Sequence, residues 1–172
     1  MNIEGRARVF GDDVNTDYII SSRRKRETND ASKLRHFLFE GIDPTFAASV
    51  MPDDILVAGK NFGCGSAMEV AATVIQASGI RAVLARSFAR SFFRNAINNG
   101  LMVVECDTTS VAEGDRVSVR LDGASVRVRN SRGGTEVPGA PIPGIMRAIL
   151  DSGGLVEYLR VNGEFEAEGA LG

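Results

Sequence analysis

The sequence predicts an α/β domain with parallel strands at its centre and a β-hairpin region beside them. Three observations carry that prediction. Between residues 55 and 105, short apolar runs alternate with helical patterns in the order strand–helix–strand–helix–strand, which builds a parallel sheet through crossover helices. In GDRVSVRLDGASVRVRN, apolar and polar residues then alternate around a turn at Asp122-Gly123, the pattern of a hairpin with one buried face. Finally, 172 residues, 44% hydrophobic and 24% charged, make a single domain with enough apolar surface for a core without disulfides.

Taken in order, Ile3, Ala7 and Val9 mark a first strand that stops at Gly11. GDDVNTDYII is a turn-rich polar segment leading into the apolar pair Ile19-Ile20. Residues 21–30, SSRRKRETND, hold four consecutive bases and are predicted to be an exposed loop, because adjacent cations repel unless solvated or paired. Asn29 or Asp30 can cap the next helix, which carries Leu34, Phe37 and Leu38 on one face and ends by Gly41 and Pro44. ILVAG (55–59) reads as a buried strand, and Ser66 opens a helix through Ala67, Val70, Ala71, Val74 and Ile75 that Gly79 closes. RAVLA (81–85) is the second strand, SFARSFFRNAINNG the second helix, and LMVVE the third strand. After the hairpin, Gly133-Gly134 and Pro138 to Pro143 predict a loop. PGIMRAILDSGGLVEYLR is a helix interrupted at Gly153-Gly154, followed by a frayed tail from about residue 163. No repeat or linker divides residues 1–172, so one domain is expected.

Twenty basic against 22 acidic residues leave a net charge of −2, which provides no basic field for nucleic acid or an anionic membrane. The start of the chain lacks a signal-peptide pattern, and no apolar run nears the ~18 residues of a membrane span. Cys64 and Cys106 are too far apart for a metal-type spacing. A reduced, cytoplasmic protein is therefore expected. The lone histidine, His36, falls in a helical pattern and reads as structural.

Three segments could carry chemistry. Gly63-Cys64-Gly65-Ser66 lies between a strand and a helix. Glycines there permit a tight turn and close ligand approach, and the helix start favours an anion. Equally, such a turn can exist only to start a helix from a Ser cap. It is neither a Walker A loop nor a dinucleotide fingerprint, and GCGSA is not the hydrolase elbow. Cys64 lacks an adjacent base in sequence, so it reads as a small residue in a turn. Arg23, Arg24, Lys25 and Arg26 form either a solvated run or a clamp for a carboxylate-bearing substrate. Asn15-Thr16-Asp17 has the composition of an Asx turn.

Together, GDDVNTDYII, ILVAGKNFGCGSAMEVA, SGIRAVLARSFARSFFRNAINNG and GGLVEY occur in the order seen in small subunits of 3-isopropylmalate dehydratase. Over nearly its whole length the chain resembles that family, which is similar to the swivelling domain of aconitase. The resemblance implies an aconitase-type swivelling β/β/α domain and a hydro-lyase acting on a small 2-hydroxy diacid. It also implies a separate large subunit as partner, with a 4Fe-4S cluster held there and none on this chain. Ser66 matches the family's catalytic base, Thr16 and Asp17 its TD motif near the active site, and Gly65, Ala67 and Met68 the flanking substrate contacts. The loop from Ser21 to Thr28 stands where homologues read the substrate's variable group, which makes Arg24, Lys25 and Arg26 candidate substrate ligands. Self-association of the isolated chain is left open.

The chain departs from the family's GCGSSREHA, reading GCGSAMEVA. Ala67 replaces a serine, Met68 the arginine that holds a substrate carboxylate, and Val70 a histidine. A methionine offers neither charge nor N–H donors, and losing a charge-assisted contact costs about 1.5–3 kcal/mol, or one to two decades of affinity. Two expectations follow: either recognition has moved, the Arg-rich segment supplying the missing cation or the substrate presenting a different group near Met68, with dimethylmalate, methylmalate or a maleate-type diacid joining 3-isopropylmalate as candidate substrates, or the chain is a catalytically silent partner- or ligand-binding homologue.

Overall fold

The structure, a computed structural model, describes residues 1–163. Its strands are β1 (Asn2–Val9), β2 (Ile55–Ala58), β3 (Ala82–Ala85), β4 (Met102–Glu105), β5 (Arg116–Asp122), β6 (Ser125–Asn130) and β7 (Glu136–Gly139), in the order β4-β3-β2-β1-β5-β6-β7. The helices are α1 (Thr16–Ile19), α2 (Ser22–Glu27), α3 (Ala31–Leu34), α4 (Phe46–Ser49), α5 (Glu69–Ala77), α6 (Arg90–Asn98), α7 (Gly144–Asp151) and α8 (Leu155–Asn162). The predicted class holds, because β1 to β4 are parallel and β1, β5, β6 and β7 antiparallel.

β1 joins the two halves. Its first residues, Asn2–Arg6, pair with β5, and its last, Ala7–Val9, with β2. β2 and β3 are buried along their whole length, as their unbroken apolar runs require. The crossover helices α5 and α6 pack on each other. The far edges also meet: Cys106 bridges Gly139, and the Ala140 N–H donates to the Glu105 carbonyl at 2.7 Å. The sheet thus curls until the chain leaving β7 reaches the end of β4.

At the other end of β2, Asp54 is 1% exposed. Its carboxylate accepts Arg6 Nε at 3.0 Å, Arg6 Nη2 at 2.7 Å, Arg8 Nη1 at 3.5 Å and the Met51 N–H at 3.0 Å. Arg8 is also paired with Glu113 at 2.9 Å and lies over the Phe46 ring. This charged cluster pins β1 to the turn that enters β2.

Four local expectations are corrected. Residues 22–27 are the helix α2 rather than a loop. Ser21 Oγ accepts the Arg24 N–H at 3.4 Å, and Glu27 pairs with Arg23 at 3.7 Å and with Arg24 at 3.3 Å, so these two cations share an acidic partner on the helix itself. Asp30 caps α3 as expected, but only one turn is α-helical before a 3₁₀ turn at Arg35–Phe37. β7 occupies part of the predicted Pro138 loop, where Pro138 is tolerated because β7 is the last strand in the order. The hairpin turn sits one residue later than predicted, since Asp122 pairs with Ser125 across Gly123-Ala124. The Gly153-Gly154 break is found, separating α7 from α8, and the predicted tail beyond Gly163 lies outside the described residues. No helix among the described residues is long and apolar enough to cross a membrane.

Candidate active site

The loops at the carboxyl ends of β1, β2 and β3 converge, and the residues after β2 are held from both sides by backbone hydrogen bonds. On one side, Asp13 N–H donates to Lys60 O, Gly63 N–H to Val14 O and Thr16 N–H to Cys64 O, each at 2.8 Å. On the other, Phe62 N–H donates to Ser87 O at 3.0 Å and Ala89 N–H to Phe62 O at 2.9 Å. Parallel pairing therefore continues past the strands, and the Gly-Cys-Gly-Ser turn projects from a fixed base.

Both glycines are required there. Gly63 has φ +78°, and a Cβ on it would stand 2.2 Å from Cγ of Phe92. Gly65 has φ +88°, and its Cβ would stand 2.6 Å from the Asn15 amide. Asn15 also caps α1, its Oδ1 accepting the Asp17 N–H at 2.9 Å. Thr16 is buried, and its Oγ1 donates to the Ser66 carbonyl at 2.8 Å. Asp17 is exposed and accepts Ser22 Oγ at 2.5 Å, tying α2 to the same cluster.

Ser66 is exposed at the tip, between exposed Gly65 and Ala67. It is not the cap the sequence suggests. α5 begins at Glu69, and its N-cap is Met68, which makes no side-chain cap bond. The serine is thus released from capping, and the first-turn amides of α5 receive no side-chain acceptor from their N-cap. Met68 itself is 4% exposed and belongs to the core, so its side chain is not presented at the surface.

The basic segment divides. Arg24 sends Nε to Glu40 Oε1 at 2.9 Å and Nη2 to Glu40 Oε2 at 3.0 Å, and its guanidinium stacks 3.7 Å above Phe37. Hydrogen bonding from Arg24 holds the Glu40 carboxyl below its ordinary range, outweighing the opposing effect of burial. Lys25 and Arg26 are exposed and have no acidic partner among the described residues. Lys25 lines a cavity of about 420 Å³ with Asn29, Glu69, Val70 and Thr73, beside the start of α5. The structure thus gathers Thr16, Asp17, Gly65, Ser66 and Ala67 into one cluster with α2 alongside, while Arg24 is engaged elsewhere and Met68 is turned inward. Glu40 escaped the sequence reading because nothing local marks a partner 16 residues away; Asn15 was legible only as a turn former.

Threonine 16 acts on Ser66 through its backbone. Replacing it with valine removes its hydrogen bond to the Ser66 carbonyl and is expected to cost about 0.5–1.5 kcal/mol of stability, with serine at the position restoring most of it. Urea unfolding of the chain measures this.

Cys64 is half-buried in the turn and Cys106 buried at the end of β4, where burial, and then Asp107, push its thiol up to about 12. Two cysteines do not fit a 4Fe-4S cluster, which takes more thiolates than this chain has. No group of three or more His, Cys, Asp or Glu side chains among the described residues is placed to hold a metal ion.

Comparison with known proteins matches residues 20–109 to the Aconitase C-terminal domain. The chain is 45% identical over 167 residues to 3-isopropylmalate dehydratase small subunit 1 of Methanopyrus kandleri, covering 97% of this chain and 98% of that one. It is 45% identical over 159 residues to the 3-isopropylmalate dehydratase small subunit of Methanosarcina mazei, covering 92% and 96%. The crystal structure of 3-isopropylmalate dehydratase (leuD) from Methanocaldococcus jannaschii superposes with a TM-score of 0.89 at 42% identity, covering 95% of this chain and 96% of that one.

Proposed function

The chain belongs to the family of 3-isopropylmalate dehydratase small subunits, in the aconitase superfamily, and from that premise we propose that it completes a two-subunit cytoplasmic hydro-lyase. Its substrate is a 2-hydroxy diacid, 3-isopropylmalate or a related malate such as dimethylmalate or methylmalate. The large subunit carries the 4Fe-4S cluster.

One observation carries this reading. Ser66 stands exposed on a turn whose base is clamped by backbone bonds and whose carbonyl is held by Thr16, so the backbone that presents its hydroxyl has a set position. In the proposed role, Ser66 Oγ removes a proton from the substrate carbon during dehydration and returns it during hydration. A serine is a poor base unless its alkoxide is stabilised. The start of α5 and the unpaired cations Lys25 and Arg26 supply positive potential for that purpose. Asp17, Gly65 and Ala67 border the substrate. Met68 cannot reach it as a cation, so the substrate carboxylate is read by Lys25 or Arg26, with Arg24 holding α2 in place through Glu40 and Phe37.

The test is to assemble the chain with its large subunit and assay 3-isopropylmalate, dimethylmalate, methylmalate and maleate hydration side by side. Turnover of one of these diacids, weakened by Lys25→Gln or Arg26→Gln through KM, is the expected result. Preference for 3-isopropylmalate unaffected by both variants would show that recognition has not moved to α2. Assembly without turnover of any diacid would make the chain a silent subunit.

A further inference from the structure

We propose that the cleft where the chain leaving β7 crosses the end of β4 is a second binding site, one that takes a small apolar carboxylate. The cleft has a volume of about 380 Å³, at the small end of ligand pockets, and its lining includes Phe88, Phe93, Val103, Ile142 and Met146. Pro141 and Pro143 form one wall, and proline fixes the backbone there while adding no N–H to be satisfied. An apolar body of a few carbons is the group such a floor accepts.

The rim supplies the opposite chemistry. Arg90 and Arg94 lie four residues apart in α6, and both border the cleft. Both are exposed, and neither has an acidic partner among the described residues. Arg26, Arg35, Arg120 and Arg129 also have no acidic partner among the described residues, but of these unpaired arginines only Arg90 and Arg94 border the cleft. The one acid in the lining, Glu105, makes no ion pair with either arginine, and its Oε1 accepts the Phe88 N–H at 3.3 Å. The N-cap of α6, Ala89, offers no side-chain acceptor, so the helix start adds to the positive potential. Two unpaired forks over an apolar floor match a carboxylate with an alkyl body. The ring cluster of Phe62, Phe88 and Phe92 stands between this cleft and the turn that carries Ser66, so the two sites are distinct.

The test titrates the full 172-residue chain with 4-methylpentanoate and, separately, with its uncharged isostere 4-methylpentanamide, following backbone and methyl NMR shifts. Saturable shifts in the low-millimolar range at Val103, Ile142 and Met146 are expected with the carboxylate, and at least tenfold weaker binding with the amide. Arg90→Gln and Arg94→Gln should each weaken carboxylate binding by about tenfold, whereas Arg120→Gln, on β5 and outside the lining of the cleft, should leave it unchanged. Equal binding of acid and amide, an equal loss from Arg120→Gln, or no saturable shifts at the cleft would each overturn the proposal.

Discussion

Replacing Ser66 with alanine is expected to lower turnover of the proposed two-subunit enzyme by about a hundredfold to ten-thousandfold, the contribution of a positioned general base in the role proposed for Ser66, while assembly and substrate KM stay near their original values. The substitution removes one exposed oxygen, and no hydrogen bond of the Ser66 side chain to the described residues supports the fold. The clamp on the turn is made by backbone groups and by Thr16 on the Ser66 carbonyl, all of which alanine retains. Loss of rate can then be assigned to chemistry rather than to collapse of the loop. Size-exclusion chromatography of the two-subunit complex and steady-state kinetics make the separation. An unchanged kcat would remove Ser66 from the base role, whereas loss of the complex would mean that the tip serves assembly. Gly65→Ala is the useful contrast, because its Cβ would collide with the Asn15 amide and its φ of +88° disfavours a side chain, so that variant distorts the turn itself.

The largest stability effect is expected at Asp54. Truncation to alanine removes the acceptor of four hydrogen bonds, but Arg6 is 38% exposed and Arg8 keeps Glu113, so neither cation is stranded and the cost should be about 2–3 kcal/mol. For a chain of this size that corresponds to a fall in Tm of about 5–10 °C. The same group makes stability depend on acid. Burial alone would raise the Asp54 pKa, but the hydrogen bond from Arg6, the Met51 N–H and the charge of Arg6 outweigh it, and the net shift is downward. A carboxyl with a depressed folded-state pKa binds fewer protons folded than unfolded. Its stabilisation is therefore complete above the ordinary carboxylate range and is lost as pH falls through the lowered folded value. Urea titrations at a series of pH values should show the parent losing this stability in acid and Asp54→Ala losing less over the same interval. Parallel curves would assign the acid sensitivity to other carboxylates.

Much of the fold was legible because its signals are short-range. ILVAG and RAVLA are too apolar and too short to be anything but buried strands, and the residues between them repeat with helical spacing. The alternation around Gly123 could form only a two-faced hairpin, and the error there was one residue of turn. The glycine turn was equally readable, since a strand must leave the sheet before a helix begins. What stayed hidden depends on partners distant in sequence. Four adjacent cations read as a repelling loop until Glu40 and Phe37 arrive to engage Arg24 and let α2 form.

The same division runs through the site. By itself the sequence determined the α/β class, the parallel core, the Gly-Cys-Gly-Ser turn and the residue types available for chemistry, because those follow from periodicity, turn residues and composition. Tertiary structure alone decided that Ser66 is free rather than capping α5, that Thr16 holds its carbonyl across 50 residues, that Met68 faces the core, and that Arg90 and Arg94 stand unpaired over an apolar cleft. The physical reason is that an ion pair or a buried side chain is defined by what the fold brings within a few ångströms. No local pattern encodes the other half of such a contact.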